Sequence, residues 1–156
     1  MSHETRAARS ASFRATVIVL AAVAAGIVWL AFDPIGGMDL QQPTFDTAKQ
    51  PTGLGLDAVL AASLAGGMVG WAALAVLERL TAHPARNWTI LALAALLVSL
   101  GGPLNGDGIT TGNRLVLVLM HLVVGGVLVG GLRGGAVSRR PATARPLAAA
   151  ASARKR

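Results

Sequence analysis

The chain has 156 residues, of which 53% are hydrophobic and only 13% are charged, and it contains no cysteine. A soluble domain of this size carries about 25% charged residues, and here the mean hydropathy is +0.59 because apolar residues are concentrated in long blocks. These values exclude a chain that is mostly disordered, a disulfide-stapled domain and an ordinary soluble enzyme. They indicate an integral membrane protein.

Four apolar blocks are candidates for membrane-spanning helices, at about residues 15–32, 56–77, 88–104 and 115–132. The first, second and fourth blocks are long enough to cross a hydrocarbon core of roughly 30 Å. The third reaches only about 25 Å at 1.5 Å per residue, so by itself it is also compatible with a re-entrant segment. A cleaved signal peptide is the alternative for the first block, but no clear A-x-A cleavage site follows, and we favour a retained helix.

Basic residues are distributed unevenly between the segments that connect these blocks. Twelve of the fourteen Lys and Arg residues lie before the first block, between the second and third, or after the fourth. This asymmetry is typical of a protein with both termini in the cytoplasm, which requires an even number of crossings. We therefore predict an all-α fold: an antiparallel four-helix bundle in the plasma membrane, with four spans and both termini cytoplasmic.

The predicted membrane domain covers residues 14–133. A short polar tail precedes it at residues 1–13, and a basic tail, predicted to be disordered, follows at residues 134–156. The basic tail is suited to contact anionic lipids, but a role as a topology determinant with a solvated end is the favoured explanation, and no nucleic acid partner is expected. The outer loop at residues 33–55 holds short polar segments that are compatible with either a small hairpin or an ordered coil.

Small residues recur at four-residue spacing inside three of the blocks. Helices in lipid approach closely along such rows, so we expect the rows to pack the spans together or to join copies of the chain in a homo-oligomer. The rows are Gly126, Gly130 and Gly134 in the fourth block, Ala62, Gly66 and Gly70 in the second, and Ala22 and Gly26 in the first; Gly131 with Gly135, and Ser63 with Gly67, repeat the spacing one residue further on.

Membrane enzymes and carriers usually have ionisable residues deep in a span, and here His121 is the single case. No carboxylate lies at the middle of a span, and one histidine cannot supply the paired axial ligands of a membrane b-type cytochrome. The motifs G-x-S-x-G and H-E-x-x-H and the Walker loop are also missing from the sequence. We therefore predict that the protein is not an enzyme and has no cofactor and no metal.

One candidate binding site is a layer of polar side chains from three spans. Counted at 1.5 Å per residue from the outer ends of the blocks, His121, Ser63 and Ser99 all lie about 8–10 Å deep. We predict that they face one another in the bundle interior. The alternative is that each serine bonds to a carbonyl of its own helix and that His121 is a packing residue.

A second candidate site lies at the inner surface. Glu78 is surrounded by basic residues and is predicted to form an ion pair there. The predicted ion-pair site comprises Glu78, Arg79 and Arg86, with Arg14 and Arg133 nearby. Trp29 and Trp88 are expected at the membrane–water interfaces, where tryptophan is enriched.

Five short segments in spans two to four indicate a family. They are GW at residues 70–71, LER at 77–79, WT at 88–89, SLGGPL at 99–104 and MHLVVG at 120–125. In this order and spacing the chain, from about residue 14 to residue 133, resembles a family of small actinobacterial four-helix integral membrane proteins catalogued as a domain of unknown function. The resemblance implies the four-span architecture and no activity.

Two functions fit these observations. We expect a non-enzymatic scaffold or accessory subunit, which acts through its helix rows and outer loop on a membrane protein partner or on further copies of itself. The alternative is a small-solute or proton transporter that acts as an oligomer, since four short spans rarely enclose a pathway alone.

Overall fold

The first span is part of a helix of 30 residues. The computed structural model describes residues 3–46 and 48–137, and within them the side chains from residue 8 to residue 134. Helix α1 runs His3–Phe32, so most of the segment predicted as an N-terminal tail is helical. The helix ends where Asp33 and Pro34 follow, because the residue before a proline is disfavoured in the helical conformation.

A small β-hairpin follows α1. Strand β1, Gln41–Gln42, pairs antiparallel with strand β2, Thr52–Gly53, with Gln41 opposite Gly53. Of the two alternatives for the outer loop, the hairpin is therefore confirmed. A pair of strands this short is not stable by itself in water, so its position must be fixed by contacts with the helices.

The second span is a single helix, and the third span is longer than the apolar block predicted for it. Helix α2 runs Leu56–Leu80, with Asp57 in its first turn, where a carboxylate complements the helix dipole. Helix α3 runs Pro84–Ser99 and starts with proline at the beginning of its first turn. Helix α4, Gly101–Asn105, continues this span. Together Pro84–Asn105 has 22 residues, or about 33 Å, which is enough to cross.

The fourth span is helix α5, Thr111–Val137. Each of the segments Ala8–Phe32, Leu56–Leu80, Pro84–Asn105 and Thr111–Gly134 is long and apolar enough to cross a membrane. The prediction of four spans is confirmed to that extent. The basic tail predicted from residue 134 begins inside α5, and its residues 138–156 lie outside the described residues.

Packing between the helices creates two buried clusters. Helix α1 packs against α2 and α5, and α3 packs against α5 and less extensively against α2. The first cluster lies beside the hairpin, at what we call the hairpin end: Ala25, Leu40, Val59, Val116, Leu117 and Met120. The second lies toward the opposite end, the distal end, and consists of Val17, Leu74, Trp88 and Leu132. We call this set the distal cluster.

Large apolar side chains cover the outer faces of the helices. Ile27 of α1 is 62% exposed, Val69 of α2 70% and Val98 of α3 79%. The third span is the least buried, with 11% of its most apolar window inside the protein. Such faces are costly in water and are suited to contact with acyl chains.

Several of the glycines that contact other helices are not those of the main predicted rows, but lie one residue further along the chain. A β-carbon at Gly131 would lie 2.5 Å from Val17 Cγ1 of α1, and one at Gly67 would lie 2.7 Å from Ile18 Cγ2. At Gly126, Gly130 and Gly66, by contrast, a β-carbon would meet nothing within 4 Å.

The expectation that the rows through Gly130 and Gly66 pack the spans is therefore wrong for these glycines. Gly131 and Gly67, one residue further on, make close approaches instead, whereas Gly70 of the predicted row does lie against another helix. In the first span, the predicted row is confirmed: Ala22 is buried, and a β-carbon at Gly26 would lie 3.4 Å from Leu56 of α2.

Candidate functional site

The hairpin forms a folded cap over one end of the helices. We call residues 33–55, together with the loop that precedes α5, the cap. Leu40, only 1% exposed, inserts from the cap into the cluster beneath it. The Leu54 N–H donates to the Leu40 carbonyl at 2.7 Å. The cap therefore shares its apolar core with the spans.

Asn113 attaches β1 to helix α5. Its side chain is 3% exposed, its Nδ2 donates to the Gln41 carbonyl at 2.9 Å, and its Oδ1 accepts from the Gln41 N–H at 3.3 Å. The amide thus replaces a neighbouring strand by satisfying both main-chain groups of one residue. Sequence reasoning missed Asn113, although an asparagine in the first turn of an apolar helix is a polar residue that needs a buried partner.

Three further contacts order the cap, and one of them, from Trp29, connects it to α1. The Asp33 carboxylate accepts from the Leu40 N–H at 2.9 Å, and Trp29 Nε1 donates to the Leu54 carbonyl at 2.6 Å. Thr44 and Asp107 form an antiparallel bridge with N–O distances of 3.2 and 2.9 Å. The half-buried Trp29 is therefore a positioning residue for the cap as well as an aromatic residue near the end of a span.

Arg114 caps the short helix α4. Its guanidinium donates to the carbonyls of Pro103 at 2.8 Å, Gly106 at 3.0 Å and Leu104. The last carbonyls of a helix have no partner within the helix, and a cation there also complements the helix dipole. Arg114 therefore stabilises the interruption between α4 and α5.

The structure does not connect the three residues of the predicted polar layer by hydrogen bonds. Ser63 is buried, but Ser99 is exposed, and its hydroxyl donates to the Leu96 carbonyl of its own helix at 2.7 Å. His121 is half-buried, and its Nδ1 lies 2.7 Å from the Leu117 carbonyl. Since a carbonyl only accepts, Nδ1 carries the proton. Both bonds follow the alternative expectation, and a binding role for the three residues stays a prediction.

Glu78 forms an ion pair with Arg14, which the predicted site placed only nearby. Arg14 Nη2 contacts Glu78 Oε1, and their side chains are 3% and 13% exposed. Arg79 and Arg86 are both exposed. Arg79 follows Glu78 directly, and adjacent residues of a helix point in different directions. Arg14 instead lies on the face of α1 that packs against α2, one turn from Ile18, and thereby reaches Glu78.

Trp88 is part of the distal cluster, so its ring packs among the helices, and its expected position at a membrane–water interface stays a prediction. It is 4% exposed, and a β-carbon at Gly70 would lie 3.1 Å from its ring. The missing side chain at Gly70 leaves room for the indole between α2 and α3, and this glycine is the signal that sequence reasoning did not use. Trp88 Nε1 and Arg14 Nε are buried without a hydrogen-bond partner among the described residues.

Within the described ranges, no group of three or more His, Asp or Glu side chains is placed to hold a metal ion. No curated protein and no solved structure matches the chain. The order of the five short segments led to the prediction of a family of unknown function with four spans. A model described as a family of unknown function, DUF6069, matches residues 5–138, which is most of the chain, and the protein therefore belongs to this family.

Proposed function

We propose that the protein is a multi-pass protein of the plasma membrane, an antiparallel four-helix bundle with both termini in the cytoplasm. We further propose that it has no catalytic activity and acts as a scaffold or accessory subunit that presents its cap to a membrane protein partner. The charge asymmetry supports this orientation, because it places the basic segments in the cytoplasm and the cap outside.

The observation that carries the proposal is the attachment of the cap to the spans. Asn113 of α5 and Trp29 of α1 each bond to the cap backbone, and Leu40 shares a core with three helices. A loop held in this way keeps one shape, and a pre-ordered surface binds a partner at lower entropic cost than a flexible one. The cap also covers the hairpin end of the helices, and Leu40 fills the space beneath it. This end is therefore poorly suited to form a transport pathway.

The cap offers a surface for such a partner. An open pocket of about 400 Å³ lies on its loop, and Gln42, Phe45 and Lys49 are among the residues that line it. Phe45 is 72% exposed. An exposed aromatic ring beside hydrogen-bonding groups is the composition that protein interfaces favour.

The proposal is tested by purifying the tagged full-length chain from native membranes in mild detergent. Asn113→Ala removes both bonds to Gln41, whereas Asn105→Ala, the control, removes one bond to Gly101 within α4. We expect the wild type and Asn105→Ala to retain one partner protein in stoichiometric amount, and Asn113→Ala to lose it.

The transporter alternative predicts a different result. The wild type would purify as a homo-oligomer without another protein, and vesicles containing it would show proton or solute flux that His121→Phe abolishes. That outcome would overturn the scaffold proposal.

A further inference from the structure

Four exposed arginines surround the distal end of the protein. They are Arg9 on α1, Arg79 on α2, Arg86 on α3 and Arg133 on α5, so each spanning segment contributes one. We call these four residues the arginine collar. They differ from Arg14, which is buried and paired with Glu78.

The collar residues lie beyond the distal cluster, at the distal ends of the spanning segments. The distal cluster joins one residue from each spanning segment and so marks a common level across them. Counted from that level at 1.5 Å per residue, the backbones of the collar residues lie about 2 to 12 Å further toward the distal end. The headgroup layer adds roughly 5–8 Å on each side of the hydrocarbon core. Arginine side chains are long and flexible, so guanidiniums from backbones spread over this range of depths can reach the same layer.

No described carboxylate neutralises the collar. Among the residues with described side chains, none of the four arginines forms an ion pair. Glu78 is engaged by Arg14, and the other acidic residues whose side chains the structure describes lie near the hairpin end: Asp33, Asp39, Asp46, Asp57 and Asp107. Among the described side chains, the four collar guanidiniums therefore present unpaired positive charge directly beyond the apolar faces of the helices.

We propose that the arginine collar binds the phosphate groups of anionic phospholipids and holds a shell of these lipids around the distal end. A guanidinium donates two parallel hydrogen bonds to phosphate, which gives arginine a geometric advantage over lysine at such sites. The site belongs to the folded spans. It does not require the basic tail, and it binds anionic lipid in whichever leaflet the distal end occupies.

The test uses the full-length protein in a neutral detergent, with phosphatidylglycerol as the anionic probe and phosphatidylcholine as the neutral one. Native mass spectrometry measures the lipids bound at each concentration. We expect the wild type to prefer phosphatidylglycerol, and Arg79→Gln or Arg133→Gln to weaken that binding by about fivefold each. The variant in which all four collar arginines are replaced by glutamine should lose the preference.

The matched control has the same change in net charge within the tail: Arg139→Gln, Arg140→Gln, Arg145→Gln and Arg154→Gln. This variant should keep the preference for phosphatidylglycerol. The collar side chains are exposed, so the collar variants should also keep the wild-type melting temperature in neutral detergent. The proposal is overturned if folded collar variants bind phosphatidylglycerol as the wild type does, or if the tail variant loses as much binding as the collar variant.

Discussion

The pair of Arg14 and Glu78 shows how a charge is accommodated at the end of an apolar helix. Arg14 precedes an uncharged stretch of α1 and is 3% exposed, so its guanidinium has left bulk solvent almost completely. Removing a cation from water is costly unless an opposite charge lies close by. Glu78 supplies that charge from α2, and the ion pair therefore determines how the ends of these two helices align.

At this scale we predict that Glu78→Gln lowers the free energy of unfolding by about 3 kcal/mol or more, because a buried arginine loses its counter-charge. Arg79→Gln, on the exposed neighbour, should change it by no more than about 0.5 kcal/mol. Chemical unfolding in detergent measures both. Replacing both partners, Arg14→Met with Glu78→Met, should recover part of the loss. Equal effects of Glu78→Gln and Arg79→Gln would contradict the assignment of the buried pair.

At the scale of elements, the contacts of the helices depend on which glycines face a neighbour. Gly131 of α5 lies against Val17 of α1, and Gly125 lies against Leu96 of α3. Gly126 and Gly130, next to them in the sequence, point away from the other helices. Helix α5 therefore approaches α1 closely at Gly131 and α3 at Gly125, whereas Gly126 and Gly130 face outward and make no such contact.

We predict that Gly131→Ala destabilises the protein by about 1–3 kcal/mol, since its β-carbon would force Val17 or the α1 backbone to move. Gly130→Ala is the matched control and should leave stability within about 0.5 kcal/mol of the wild type. The melting temperature in detergent reports the difference. If Gly130→Ala were as destabilising as Gly131→Ala, the rotation of α5 that turns Gly131 toward α1 and Gly130 outward would be incorrect.

At the scale of the whole molecule, the cap and the arginine collar lie at opposite ends of the same four helices. Five of the seven acidic residues lie at or near the cap, and arginines surround the distal end. The negative surface potential of the cytoplasmic leaflet favours basic residues there. The separation of acidic residues at the cap from arginines at the distal end therefore predicts that the cap lies outside the cell and the collar inside.

The orientation is tested by labelling single cysteines, which is simple because the chain has none of its own. In intact cells, an impermeant maleimide should react with Gln50→Cys in the cap and not with Ala82→Cys, which lies between α2 and α3. Both positions are exposed. Ala82→Cys should react only after the membrane is permeabilised. Labelling of Ala82→Cys in intact cells would reverse the proposed orientation.

The sequence by itself determined the approximate limits of the spans, because hydropathy along a chain is a local property that needs no knowledge of neighbours. Their number followed from hydropathy together with the distribution of basic residues, which is also read directly from the chain. It also led to the family, through the order of five short segments that the match over residues 5–138 then supported. The hairpin was one of two alternatives, and the sequence could not decide between them.

Only the tertiary structure decided how each helix is rotated, and the corrected expectations for Gly130 and Gly66 concern this rotation. In a soluble bundle, the apolar face of a helix identifies the interior. In lipid, both the interior and the outer surface are apolar, so periodicity does not distinguish them. For that reason the sequence could not tell Gly131 from Gly130 or place Trp88 in the core. The partner of Glu78 likewise depended on which face of α1 meets α2, and that face became known only when the helices were packed together.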